Sequence, residues 1–164
     1  MKLVALYLGG RAEKATIEVH DVVFIITENW RNDKEKIRQL WFGRPDKVHI
    51  DAVAEIEKID GYKIGLRNES NSSQNQLWFV NFGAVIPGAF SEYHENGFVV
   101  ASSKREAIRK AKKKFCLNLS GRHCDTMLEL EECISVSEVM KGVINLIPDS
   151  GENVINIENC YIAI

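Results

Sequence analysis

Glu18-Val19-His20-Asp21 recurs as Glu92-Tyr93-His94-Glu95, and His49-Ile50-Asp51 recurs as His123-Cys124-Asp125. Each second member lies 74 positions after the first, and these two pairs account for all 4 histidines of the chain. Laid without a gap, residues 3–59 fall on 77–133 with further identities at Leu3/Leu77, Gly9/Gly83, Ala15/Ala89, Phe24/Phe98, Arg31/Arg105, Lys36/Lys110, Glu55/Glu129 and Glu57/Glu131. Agreement at one fixed period marks an internal duplication. Apolar positions match in kind, as at Leu8/Phe82, Ile25/Val99 and Trp41/Phe115. A shared core asks for volume and apolarity more than identity. Polar surface residues change at little cost in stability, so matched Glu, His and Asp need a reason of their own.

Each copy is read as the same series of elements. In the first, residues 2–8 are an apolar strand that Gly9-Gly10 breaks. Glu18–Thr27 is a second strand, rich in β-branched and aromatic residues. Trp30, Ile37, Leu40 and Trp41 place a helix over Asn29–Phe42, which Gly43-Arg44-Pro45 ends. Strand alternation over His49–Ile59 puts His49, Asp51, Val53, Glu55 and Glu57 on one face. Asp60-Gly61 is a hairpin signal, and Tyr62–Leu66 returns. The second copy repeats this order with strands at Leu77–Phe82 and Tyr93–Ala101, the latter interrupted at Asn96-Gly97. A helix over Lys104–Phe115, capped by Ser102 or Ser103, and strands at Cys124–Val136 and Gly142–Ile147 follow.

The fold class is therefore α+β: two tandem ββαββ-like repeats related by a pseudo-twofold, a mostly antiparallel sheet covered by helices. Residues 1–67 form the first repeat, 68–76 a polar linker, 77–147 the second repeat and 148–164 a C-terminal extension. That extension adds a strand, Val154–Ile164, which either closes a sheet edge or pairs with a second copy of the chain in a homodimer.

Composition narrows the function classes. The net charge is -2 and the charges are mixed, as in a globular protein. No apolar run spans a bilayer, and the N-terminus lacks the pattern of a secretory signal, so a cytoplasmic protein without a membrane partner is expected. Cys116, Cys124, Cys133 and Cys160 show no C-x-x-C spacing and read as reduced thiols. Lys104, Arg105, Arg109, Lys110, Lys112, Lys113 and Lys114 make a basic helix, but its counterpart carries Asp33 and Glu35 and no aromatics interleave. It is read as a solvated face, not a nucleic-acid surface. Gly9-Gly10 follows a strand, yet no phosphate-binding glycine pattern accompanies it, so a strand-ending turn is expected.

The candidate site is the duplicated set Glu18, His20, His49, Asp51 and Glu92, His94, His123, Asp125. On a strand, residues i and i+2 share a face about 7 Å apart. Glu18 thus travels with His20, and His49 with Asp51. If their strands are neighbours, two imidazoles and two carboxylates converge. Mixed nitrogen and oxygen donors suit a divalent transition metal, with His20, His49, His94 and His123 as the nitrogen ligands. The set reads first as a small-molecule or metal-binding module. The alternatives are a metal-dependent or acid–base hydrolase using the same residues, and a structural network that locks strand register.

Leu8-Gly9-Gly10, Glu18-Val19-His20-Asp21, Trp41-Phe42, His49-Ile50-Asp51-Ala52 and Asp60-Gly61-Tyr62 together resemble the DUF1543 family. Phe82-Gly83, Pro87-Gly88, Glu92-Tyr93-His94-Glu95 and Ala107-Ile108 resemble a second copy of the same domain. The resemblance implies a bacterial cytosolic protein and brings no assigned chemistry.

Overall fold

The computed structural model describes residues 1–66, 74–84, 86–115, 128–141 and 143–164, and of 128–132 the backbone. It consists mostly of antiparallel strands with few helices. Two compact units form: Met1–Leu66 with Asp149–Ile164, and Arg67–Pro148.

The first unit is built around β1 (Lys2–Gly10), which lies between β2 (Val19–Thr27) and β3 (Val48–Ile59), antiparallel to both. Alternation along β1 sends Val4, Leu6 and Leu8 to one face, where they pack with Ile25, Ile50, Trp30 and Ile37. Tyr7 and Gly9 fall on the other face. Gly9-Gly10 does not end the strand: both residues are paired with β2 and with β3. Glycine is needed there for closeness, not for a turn. A β-carbon on Gly10 would stand 2.3 Å from the Lys47 carbonyl oxygen and 3.1 Å from the Trp41 ring.

The helix expected over Asn29–Phe42 is divided. A 3-10 turn covers Trp30–Asn32, and α1 covers Lys34–Leu40. Asn29 caps the turn by accepting from the Arg31 backbone N–H. Thr27 Oγ1 donates to Asp33 Oδ2 at 2.5 Å, which ties the junction to the end of β2. Asp33 has φ -101° and ψ 19°, outside the helical basin, and this breaks the run. A second 3-10 turn, Pro45–Lys47, leads into β3.

β3 turns at Asp60-Gly61, both with positive φ, into β4 (Tyr62–Leu66). Its other partner is β9 (Val154–Ala163), so the C-terminal extension joins the first unit. The extension is fastened at the hairpin. The Asp149 N–H donates to the Gly61 carbonyl at 2.8 Å, and Lys58 Nζ lies 3.0 Å from Asp149 Oδ1. The Gly151 N–H and then Lys58 hold the Asp149 carboxyl below its ordinary range.

In the second unit, β5 (Gln76–Ala84) lies between β6 (Tyr93–Ala101) and β7 (Leu128–Ser135). β6 runs through Asn96-Gly97 without the expected interruption, because the missing β-carbon makes room for the Phe115 ring. α2 (Lys104–Lys114) is capped by Ser103, while Glu106 reaches back to the Ser102 N–H and hydroxyl. Its basic face is only partly solvated. Lys110 and Lys114 turn to the β6 edge and donate to the carbonyls of Val100 and Phe98. The strand region read over Cys124–Val136 ends sooner, since Ser135 caps a short α3 (Val136–Val139) by accepting from the Glu138 N–H. β8 (Ile144–Pro148) follows.

Candidate metal centre

Gly9 is the centre of the site. It stands opposite His20 on β2 and opposite His49 on β3, so the two histidines flank a position with no side chain. Cross-strand partners share a face, and the empty position lets both imidazoles lean across β1. A β-carbon on Gly9 would lie 2.5 Å from Asp51 Oδ2, 2.6 Å from His49 Nε2 and 3.1 Å from His20 Cδ2. The glycine is thus the floor of a cradle that any other residue would fill.

Asp51 is placed by a bulge. β1 passes from Tyr7 to Leu8 while β3 passes from Ala52 to Ile50, so β3 carries Asp51 as an unpaired residue. The same residue is skipped by β9, whose partners jump from Asn159 to Ile162. A bulge re-aims a side chain out of the regular pleat. Here it serves the Asp51 carboxylate.

All four residues of the first set meet. His20 Nε2 lies 3.3 Å from Glu18 Oε1 and 3.5 Å from Asp51 Oδ2. His49 Nε2 lies 3.5 Å from Glu18 Oε1 and 3.2 Å from Asp51 Oδ1. Donor atoms of Glu18, His20 and Asp51 form the compact set, each within 4.8 Å of the others. His49 meets the same two carboxylates from the buried side. It is 5% exposed, whereas the Glu18 and His20 side chains keep 45% and 37%. The site therefore has a dry inner wall and an open outer one.

These approaches are not hydrogen bonds. His49 Nε2 and Asp51 Oδ2 are buried and have no hydrogen-bond partner. The distance from His49 to Asp51 is short enough, so it is the direction that fails. An unsatisfied buried polar atom costs about 1–3 kcal/mol. Both atoms face the space over Gly9.

Two tyrosines complete the walls. Tyr7 stacks on His20 with ring centroids 5.1 Å apart and planes 7° from parallel. Tyr161 of β9 rests against His49 at 4.3 Å. Burial, and then the charge of Asp51, push the Tyr7 phenol above its ordinary value. Sequence reasoning missed both tyrosines and the role of Gly9. The two-residue spacing of Tyr7 and Gly9 on one strand was the available signal.

Of the second set, Glu92 and His94 lie among the described residues. His94 Nε2 approaches Glu92 Oε2 at 3.9 Å, and His94 stands opposite Gly83 as His20 does opposite Gly9. His123 and Asp125 lie outside the described residues. The β7 residue opposite Gly83 is Glu129, six positions after His123. The bulge also recurs, between Asn81 and Phe82, and its unpaired residue is Glu131. The fixed 74-residue shift holds through the ends of α1 at Leu40 and α2 at Lys114. Beyond them the chain takes longer to reach β7 than to reach β3, and the register moves on.

The sequence profile of the Domain of Unknown Function DUF1543 matches residues 15–66 and 89–137. The chain belongs to this family and carries two copies of its domain. It is similar to a solved structure, the crystal structure of a protein Il1583 from Idiomarina loihiensis, with 29% identity and a TM-score of 0.72. That match covers 98% of this chain and 95% of the other. No functionally curated protein matches the chain. No helix among the described residues is long and apolar enough to cross a membrane.

Proposed function

We propose that the first repeat binds one divalent transition metal ion through Glu18, His20, His49 and Asp51. The observation that carries this reading is the pair of buried, unpartnered ligand atoms, His49 Nε2 and Asp51 Oδ2, facing a cradle floored by Gly9. The spacing agrees. Zinc bonds of about 2.0–2.1 Å in a tetrahedron give ligand–ligand edges of about 3.3–3.4 Å. The four nitrogen–oxygen approaches, which use both Asp51 oxygens, span 3.2–3.5 Å, and the donor atoms of Glu18, His20 and Asp51 form the mutually close set that His49 adjoins through the two carboxylates. A strand-locking network is the weaker reading, because such a network is mutually satisfied and this one is not.

The open outer wall supports a second reading, metal-assisted hydrolysis. In this reading the ion takes the compact three-residue set Glu18, His20 and Asp51, and the exposed side of Glu18 and His20 leaves a fourth position for water or substrate, as catalytic zinc sites do. We also read each repeat as a ββαββ unit with helices on its sheet, in a cytosolic bacterial protein. The matching antiparallel placement of β1–β3 and β5–β7 and the reduced thiols of Cys133 and Cys160 support this.

The test is elemental analysis of untagged protein after dialysis against zinc, manganese, iron and nickel salts. One tightly held ion per chain, lost in a His20→Ala/His49→Ala variant, is the expected result. A metal-free wild type overturns the proposal.

A further inference from the structure

The metal reading above makes a further assignment possible. We propose that the C-terminal strand β9 completes the site and that Tyr161 is the residue positioning His49. The inference rests on the first-repeat metal site and names the part of the chain that tunes it.

Three observations converge on β9. Its register against β3 breaks at Asp51, where β9 carries two residues, Cys160 and Tyr161, beside one on β3. The extra residue lets β9 follow the bulge that aims Asp51. Tyr161 is 75% exposed, and its ring lies against the buried His49 imidazole. An aromatic ring left so open on a strand gains little from burial, so its contact with His49 is what sets its place. Finally, Cys160 is committed elsewhere. Its thiol donates to the Ile50 carbonyl at 3.5 Å, and burial, then Glu158 and Asp51, push it above its ordinary value.

β9 also distinguishes the first repeat from the second. Among the described residues, the second sheet is β6-β5-β7 and nothing lies beyond β7. Tyr161 of β9 covers His49, and among the described residues no strand takes that place beside β7. An imidazole ligand needs its ring plane fixed to keep its lone pair on the ion, and residues that do this behind a ligand are worth about 10–100-fold in affinity. Tyr161 does so by packing, so the ring matters and the hydroxyl does not.

The experiment is a zinc titration of the untagged full chain in competition with a chromophoric chelator, for wild type, Tyr161→Ala and Tyr161→Phe. Imidazole NMR signals of the metal-free proteins are recorded alongside. Tyr161→Ala is expected to weaken zinc binding about tenfold or more, with Tyr161→Phe within about twofold of wild type. The metal-free His49 signals should move in the Ala variant and stay in the Phe variant. Wild-type affinity in Tyr161→Ala, with zinc still bound, overturns this inference and leaves the metal reading standing. So does a Phe variant as weak as the Ala variant. A wild type that binds no zinc removes both. If Tyr161→Ala lowers the melting temperature, the titration is run well below it, and Tyr161→Leu separates lost bulk from lost ring packing: Leu matching Phe overturns the aromatic role, Leu matching Ala upholds it.

Discussion

A β-carbon on Gly9 would stand 2.6 Å from Nε2 of His49, inside any contact that real side chains make. The absence of one side chain on β1 therefore creates the space into which His20 of β2 and His49 and Asp51 of β3 point. Replacing Gly9 by Ala adds a methyl group to the floor of the cradle and displaces Asp51 as well. Strand positions prefer Ala to Gly by roughly 0.5–1 kcal/mol, so the fold should not suffer from the backbone change itself. The expected outcome for Gly9→Ala is a folded protein whose zinc affinity drops by about a hundredfold. Calorimetric titration checks the affinity, and circular dichroism checks the fold. Binding at wild-type strength would mean that the ion does not sit over Gly9.

The histidines and carboxylates were legible in the sequence because a duplication compares the chain with itself. Gly9 was not, since a glycine that ends a strand and a glycine that lets two neighbouring strands reach across it have the same local surroundings. Only the pairing of β1 with both β2 and β3 tells them apart. The partner of β9 was open for a related reason: pairing is a long-range choice that strand propensity does not encode. In the second repeat, identity at His49/His123 suggested a register that the chain does not use. An ungapped comparison cannot see that the connection after α2 has grown, although Glu129 rather than His123 stands opposite Gly83. The division of the helix at Asp33 depends on the Thr27 hydroxyl, contributed by the preceding strand.

Gly61 tests the hairpin that joins β3 to β4 and receives the C-terminal extension. Its φ is 83°, and a β-carbon there would meet only the Asp149 carbonyl oxygen, at 3.7 Å. Space is available, so the cost of Gly61→Ala is backbone strain, about 1–2 kcal/mol for an L-residue in the left-handed region. A fall in melting temperature of about 2–6 °C is expected, and less for Gly61→Asn, which tolerates that conformation. Equal melting of wild type and Gly61→Ala would show that the turn relaxes without cost.

Glu106 gives a pH dependence whose direction is fixed. The Ser102 hydroxyl and N–H, then Lys110, draw its carboxyl from 4.5 down to about 2. A group with a depressed folded-state value stabilises above its unfolded-state value and loses that contribution as pH falls toward the folded one. The capping interaction should therefore be intact above pH 4.5 and fade between that value and about 2. Glu106→Gln removes the titrating group. Acid titrations followed by circular dichroism should differ between wild type and Glu106→Gln in that window. Two curves that keep a constant separation from pH 6 to pH 2 would show that Glu106 makes no titrating contribution.

The two repeats should be unequal in metal stoichiometry. The first brings two imidazoles to its glycine, from His20 and His49, while the second brings His94 opposite Gly83 and has Glu129 at the position matching His49. Nitrogen donors are what favour a transition metal over a hard cation at such a site. Among the described residues, β9 lies beside the first repeat, with Tyr161 against His49. Zinc loading of wild type should thus saturate at about one equivalent, as expected for a single mixed nitrogen–oxygen centre. His94→Ala should leave that stoichiometry and affinity unchanged, whereas His20→Ala should remove binding. Two equivalents in wild type, with one lost in His94→Ala, would show that the second repeat has kept its site through residues outside the β7 register.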